Sequence, residues 1–153
     1  MAHPVTLELR IPIAASASVV WDAITDWPTQ GQWMLGTRVW VTAGTGQDAG
    51  SEIAAFSGIG RLGFLDTMTV TAWNPPRSCE VRHTGKVVRG TGWMGAEAVT
   101  EGSCEFVWGE TLELPLGWLG RVGWIVVGPL MKLGVLASLR RFRTYVLAVN
   151  QSR

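Results

Sequence analysis

Residues 131–149 read MKLGVLASLRRFRTYVLAV, and within them Met131, Val135, Leu139, Phe142, Val146 and Val149 recur at steps of four and three. That spacing lays one apolar stripe along a helix, while Arg140, Arg141 and Thr144 project from the opposite side. The helical pattern starts near Leu116 and continues for about thirty residues. Pro129 either opens the main helix at its first position or kinks a longer one, because proline lacks the donor an interior turn needs. The residues before this segment follow a different period.

Val5 to Ile13 alternates Val5, Leu7, Leu9, Ile11 and Ile13 with Thr6, Glu8, Arg10 and Pro12, the period-2 signature of a half-buried strand. Ser16 or Ser18 can then cap a short helix that carries Ala17, Val20, Trp21 and Ile24 at helical spacing. Pro28 stops it, since the residue before proline avoids the helical region. A second short turn carrying Gln32 and Trp33 fits before Gly36. Six strand-like runs follow: 37–42, 51–57, 64–73, 78–84, 87–99 and 104–114. They are punctuated by glycine-rich turns and by Asn74-Pro75-Pro76. Gly90, Gly92 and Gly95 in the fifth predict a bulge or sharp bend there. With no internal repeat and no linker, residues 1–153 are expected to form a single α+β domain. A curved seven-stranded antiparallel sheet would wrap around the long C-terminal helix, with a short helical hairpin after the first strand.

Composition narrows the partners. A chain of 153 residues can bury one core. Its net charge of +1 argues against nucleic acid, which needs a concentrated positive field. Only 16% of residues are charged, against 47% hydrophobic ones that include nine tryptophans, so a large apolar area must be hidden. Cys79 and Cys104 lack any metal-binding or CxxC spacing and read as reduced, buried thiols. No charged segment followed by an apolar one opens the chain, and a cytoplasmic location is expected. The stretch from Val122 to Leu139 is uncharged except for Lys132, but Gly123, Gly128, Pro129 and Gly134 interrupt it. Its unbroken apolar run is too short to span a bilayer. It reads as a kinked helix docked on the protein, with peripheral membrane contact as the lesser alternative. Neither a phosphate-cradling glycine loop nor a nucleophile elbow is present, and no cofactor or metal is expected.

The opening IPIAASASVVWDAITDWPTQGQW, the middle GFLDTMTVTAWNPPRSCEVRHTG with VVRGTG, and FVWGETLELPLG resemble the START-like (SRPBCC) superfamily. Within it, the chain is most similar to the bacterial polyketide cyclase/dehydrase and lipid-transport group, over essentially its whole length. The resemblance implies the helix-grip fold, with a cavity between the sheet and the terminal helix. It constrains activity weakly, because members include ligand carriers, cyclases, hydrolases and proteins that act on ribosomes.

Strand parity then proposes a lining. Asp66, Met68 and Val70 share one face, as do Cys79, Val81 and His83, and Phe106, Trp108, Glu110 and Leu112. Ala54 and Phe56 join if their strand has the same register, and a slip of one residue would turn any of these sets outward. Met131 and Val135 on the helix stripe, and Trp21 and Trp33 on the helical hairpin, complete the expected wall. Asp66, His83 and Glu110 are the one constellation able to move protons, a neighbouring carboxylate orienting the imidazole. The simpler reading of the same three groups is that they satisfy one another or sit at the cavity mouth in water. Arg89 reads as a solvated strand end, and Trp93, Trp118 and Trp124 as outward-facing; exposed tryptophans would suggest a partner or membrane surface. The expected function is binding of a hydrophobic small molecule (lipid, polyketide or aromatic metabolite), by a monomer or homodimer. The alternatives are a polyketide cyclase/dehydratase-type enzyme using the His83 pair, and a ribosome- or protein-interacting module.

Overall fold

The first strand of the chain lies beside the last. In the computed structural model, which describes residues 3–152, β1 (His3–Ile13) pairs antiparallel with β7 (Ser103–Leu114) along its full length. Five further strands complete one antiparallel sheet: β2 (Thr37–Ala43), β3 (Glu52–Ile59), β4 (Leu62–Asn74), β5 (Ser78–His83) and β6 (Gly90–Thr100). Their order is β1-β7-β6-β5-β4-β3-β2. Strands β1 and β2 therefore occupy opposite edges, and the chain between them must cross the width of the sheet.

Helix α1 (Ala17–Ile24) and a 3-10 turn (Trp27–Gln32) make that crossing. Ser16 caps α1 by accepting the Val19 N–H at 3.4 Å, and Ala17, Val20, Trp21 and Ile24 point into the core as their spacing requires. The helix ends before Pro28 is reached, where the Thr25 hydroxyl donates to the Trp21 carbonyl at 2.8 Å.

Register breaks lie at Val41/Ala43, Val70/Ala72 and Ala98/Thr100, and such bulges bend a strand and increase its twist. None falls at the three glycines of β6, which also begins at Gly90 rather than at Val87. Gly95 has a different purpose. The Ala96 N–H donates to the Pro76 carbonyl at 2.9 Å, and a Cβ on Gly95 would sit 1.7 Å from the Arg77 carbonyl oxygen. Only a residue without a side chain admits the β4–β5 turn there.

Helix α2 (Trp118–Gln151) runs 34 residues with Pro129 inside it, so the proline neither opens the helix nor ends it. Because the interrupting residues do not break it, the apolar run is continuous. The helix is long and apolar enough to cross a membrane by length and composition alone, with a mean hydropathy of 1.8 over its most apolar stretch. Its two halves have different surroundings. Ser138, Leu139, Phe142 and Val146 are buried, and the Ser138 hydroxyl accepts the Leu35 N–H at 3.0 Å. In the first half nearly every large side chain is exposed, including Leu119, Val122, Ile125, Leu130 and Leu133.

Phe142 forms the junction. Its ring lies 4.8 Å from Trp33 in an edge-on arrangement and 4.8 Å from Phe106 on β7, and all three side chains are fully buried. Truncating such a ring leaves a cavity that costs about 3–5 kcal/mol. Phe142→Ala should lose that much in urea unfolding, while Ile125→Ala, in the exposed half of the same helix, should stay within about 0.5 kcal/mol of the parent.

Candidate functional site

Directly opposed residues in an antiparallel pair share a face of the sheet. Trp108 lies opposite Met94, Glu110 opposite Gly92, Val81 opposite Gly92, and His83 opposite Met68. These side chains converge on a cavity of about 130 Å³. Ala55 and Ile53 of β3 and Val39 of β2 extend the floor, and Trp27, Gln30 and Met34 close it from the crossing segment. A void of this size is close to the roughly 150 Å³ of an engineered cavity that holds benzene. One ring fills it.

Gly92 contributes by what it lacks. A Cβ there would meet the Val81 side chain at 3.3 Å and the Glu110 side chain at 3.5 Å, so any larger residue would occupy part of the void.

Seven of the expected residues line this space: Asp66, His83, Glu110, Met68, Cys79, Val81 and Trp108. The others lie elsewhere, each for a physical reason. Trp33, Phe106 and Val70 are buried in solid core, the first two packed against Phe142. Phe56 is on the opposite face of β3: Ala55 pairs with Asp66, so Phe56 pairs with the exposed Leu65 and lies 5.3 Å beneath the Arg38 guanidinium. Trp21 packs edge-on against Trp73 at 5.0 Å and borders a separate surface groove. Leu112 is half-buried on β7 beyond Glu110, outside the lining. Met131 and Val135 pack against the core without reaching the void, and α2 contributes no residue to its wall. The cavity is thus lined by sheet and crossing segment, with the terminal helix packed into the hollow beside it. Trp93 faces the outside, where its indole donates to Glu8 at 3.1 Å.

Trp27, Gln30, Met34, Ile53 and Ala55 are lining residues that sequence periodicity did not mark. For the two β3 residues the missing information was the pairing with β4. For the other three it was the path of the crossing segment, which carries no strand parity.

Asp66, His83 and Glu110 sit together in this largely apolar wall. His83 Nδ1 lies 2.8 Å from Asp66 Oδ2, a hydrogen bond that seats the imidazole proton on Nδ1 when the carboxylate is ionised. The other ring nitrogen, Nε2, is 3.9 Å from Glu110 Oε1, beyond hydrogen-bond range. His83 Nε2 and Asp66 Oδ1 are both buried without a partner. Burial pulls the His83 pKa down, but the hydrogen bond and charge of Asp66, helped by Glu110, outweigh it and leave the net shift upward. Burial pushes Glu110 up to about 7, against a downward pull from His83 and with a further push from Asp66. Glu110 therefore titrates near neutrality, beside an imidazole whose own proton is held more tightly than usual. Cys79 also borders the cavity, but burial pushes its thiol up to about 12 and keeps it protonated.

A family model described as polyketide cyclase / dehydrase and lipid transport matches residues 4–147. Among curated proteins, none is similar to this chain in sequence. Solved structures share the fold at low identity. An aromatase/cyclase from a Streptomyces species superimposes with a TM-score of 0.77 at 14% identity, covering 94% of each chain. A Thermus thermophilus protein gives 0.78 at 16% identity, over 95% of this chain and 99% of that one. Norcoclaurine synthase from Thalictrum flavum, in complex with dopamine and hydroxybenzaldehyde, gives 0.68 at 16% identity, over 96% of this chain and 88% of that one.

The raised carboxyl has a consequence for stability. Between its ordinary value of 4.5 and about 7, Glu110 stays protonated in the folded protein but ionises in the unfolded chain. Stability must therefore fall as pH rises through that window, and the raised His83 adds to the fall above 6.5. Between about pH 5 and 8 the loss should reach about 2–3 kcal/mol, and Glu110→Gln should remove most of this slope in urea titrations.

Proposed function

This chain belongs to the polyketide cyclase/dehydrase and lipid transport family, and from that footing we propose that it binds a hydrophobic small molecule of single-ring size carrying a hydroxyl or carbonyl oxygen. The observation that supports this reading best is the partnerless His83 Nε2, buried at the wall of a largely apolar cavity. An orphaned buried polar atom costs about 1–3 kcal/mol, and a ligand oxygen would recover that. The 3.9 Å gap between Nε2 and Glu110 Oε1 leaves room for one oxygen at the apex of a triangle, at an ordinary hydrogen-bond distance of about 2.8 Å from each. Burial of the ring supplies affinity at about 25 cal/mol per Å² before ordering costs are subtracted. The oxygen supplies orientation. Dopamine and hydroxybenzaldehyde, held by the norcoclaurine synthase of the same fold, are ring-sized molecules of this kind.

A second reading rests on a specific observation, the Glu110 carboxyl near 7 beside a raised His83. In that reading the site is also an acid–base centre of the cyclase/dehydratase type. Asp66 holds the imidazole through Nδ1, protonated His83 donates from Nε2 to a substrate carbonyl oxygen, and ionised Glu110 accepts a proton from the neighbouring carbon. Groups poised near the working pH are suited to both transfers.

Binding of phenol and of toluene, followed by quenching of tryptophan fluorescence, separates an oriented site from a merely greasy one. Phenol should bind about tenfold more tightly than toluene to the parent, and His83→Leu should reduce the ratio to about twofold or less. Equal binding of the two by the parent would remove the proposed role of His83. Gly92→Val should abolish binding of both molecules while unfolding as cooperatively as the parent, because its methyl groups would enter the cavity.

A further inference from the structure

The antiparallel register places three connections at one end of the sheet. Because Ile59 pairs with Leu62, His83 with Gly90, and Gly90 with Leu112, the β3–β4 turn, the β5–β6 loop and the β7–α2 turn all open at that end, the β3–β4 turn projecting past the Met68–His83 pair. Each carries an exposed apolar side chain: Ile59 and Leu62 at 87% and 83% exposure, Val87 at 65%, and Leu116 at 77%. Helix α2 starts at the same end, and its exposed half adds Trp118 at 71%, Ile125 at 72%, Val126 at 65% and Leu130 at 64%. At 3.6 residues per turn, the exposed apolar side chains of this half lie on one side of the helix, with Arg121 and Lys132 along one border and no charge between. A monomer seldom leaves so large an apolar surface uncovered.

Charge says what covers it. No Asp or Glu occurs after Glu113, whereas six of the 13 Lys and Arg residues do: Arg121, Lys132, Arg140, Arg141, Arg143 and Arg153. All 12 acidic residues lie in the first 113 positions, which are net negative by five. The apolar surface is therefore carried on the basic part of a nearly neutral chain. An apolar helix face bordered by Lys and Arg, with tryptophan at its start, has the composition of a segment lying in the headgroup region of an anionic bilayer. A second copy is a poorer fit, because the same face of a partner offers no carboxylate to pair with Arg121 and Lys132.

We propose that the first half of α2, together with the apolar tips of the β3–β4, β5–β6 and β7–α2 connections, docks the protein on the surface of an anionic lipid bilayer. The helix lies on the bilayer rather than crossing it. Leu139, Phe142 and Val146 hold its second half in the core, and Ser138 is bonded to Leu35, so a span would require undoing the fold. Docking in this way turns toward the lipid the end of the sheet where His83 closes β5. The inference stands on exposure and charge and is independent of what the cavity binds.

Co-sedimentation of the full chain with vesicles tests it. The protein should pellet with phosphatidylcholine vesicles containing phosphatidylglycerol, bind pure phosphatidylcholine at least about tenfold more weakly, and lose the difference at high salt. Brominated acyl chains should quench a share of the tryptophan emission, and that share should vanish in Trp118→Phe. Ile125→Glu with Leu130→Glu should abolish pelleting without altering the near-ultraviolet circular dichroism. Failure to pellet with either vesicle overturns the proposal, as does unchanged pelleting of the double variant. A parent dimer that this variant converts to monomer in sedimentation equilibrium also overturns it, and assigns the surface to a second copy.

Discussion

Trp33, Phe106 and Phe142 come from the crossing segment, the last strand and the terminal helix, and their rings meet at 4.8–6.2 Å with almost no exposure. The crossing segment is far in sequence from both the last strand and the terminal helix, and these rings bring all three together. With the buried Leu139 and Val146 and the Ser138–Leu35 hydrogen bond, their contact seats the second half of α2. It also fills part of the hollow that a curved sheet and a helix would otherwise enclose. What is left is a small void between Trp108 and His83, bounded by the sheet and by Trp27, Gln30 and Met34.

The void retains polar groups that an optimally stable core would not. Asp66 and His83 satisfy one another on one side only, and Nε2 and Oδ1 are left without partners. Replacing such groups with well-packed apolar side chains often stabilises a protein, so their presence here opposes stability. The proton affinity of Glu110 reflects the same arrangement, since burial raises it to about 7. Sites that bind or transform ligands commonly combine perturbed ionisable groups with a concave apolar wall. The family and its neighbours share the fold that makes such a wall, while their low identity leaves the chemistry to these particular side chains.

Much of the architecture was legible in the chain itself. Alternation in Val5 to Ile13 and helical spacing in Met131 to Val149 identify the first strand and the last helix, because each period belongs to one backbone geometry. The inward faces of β4, β5 and β7 were legible too: parity places Asp66, Met68, Cys79, Val81, His83, Trp108 and Glu110 on the side that borders the cavity. Phe56 was misplaced because β3 is apolar on both faces, with Ala54 and Ala55 each buried. Alternation cannot choose a side there. Val87 was assigned to a strand by its β-branched character, but the backbone pairs only from Gly90 onward.

Local pattern therefore determined the elements, their order and most of their inward residues, because strand and helix periods are properties of a few consecutive side chains. Tertiary structure alone decided three matters: the pairing of Ala55 with Asp66, the division of α2 into a docked and an exposed half, and the 3.9 Å separation of His83 from Glu110. Each depends on contacts between residues far apart in the chain, and packing settles those only when all the elements are in place together.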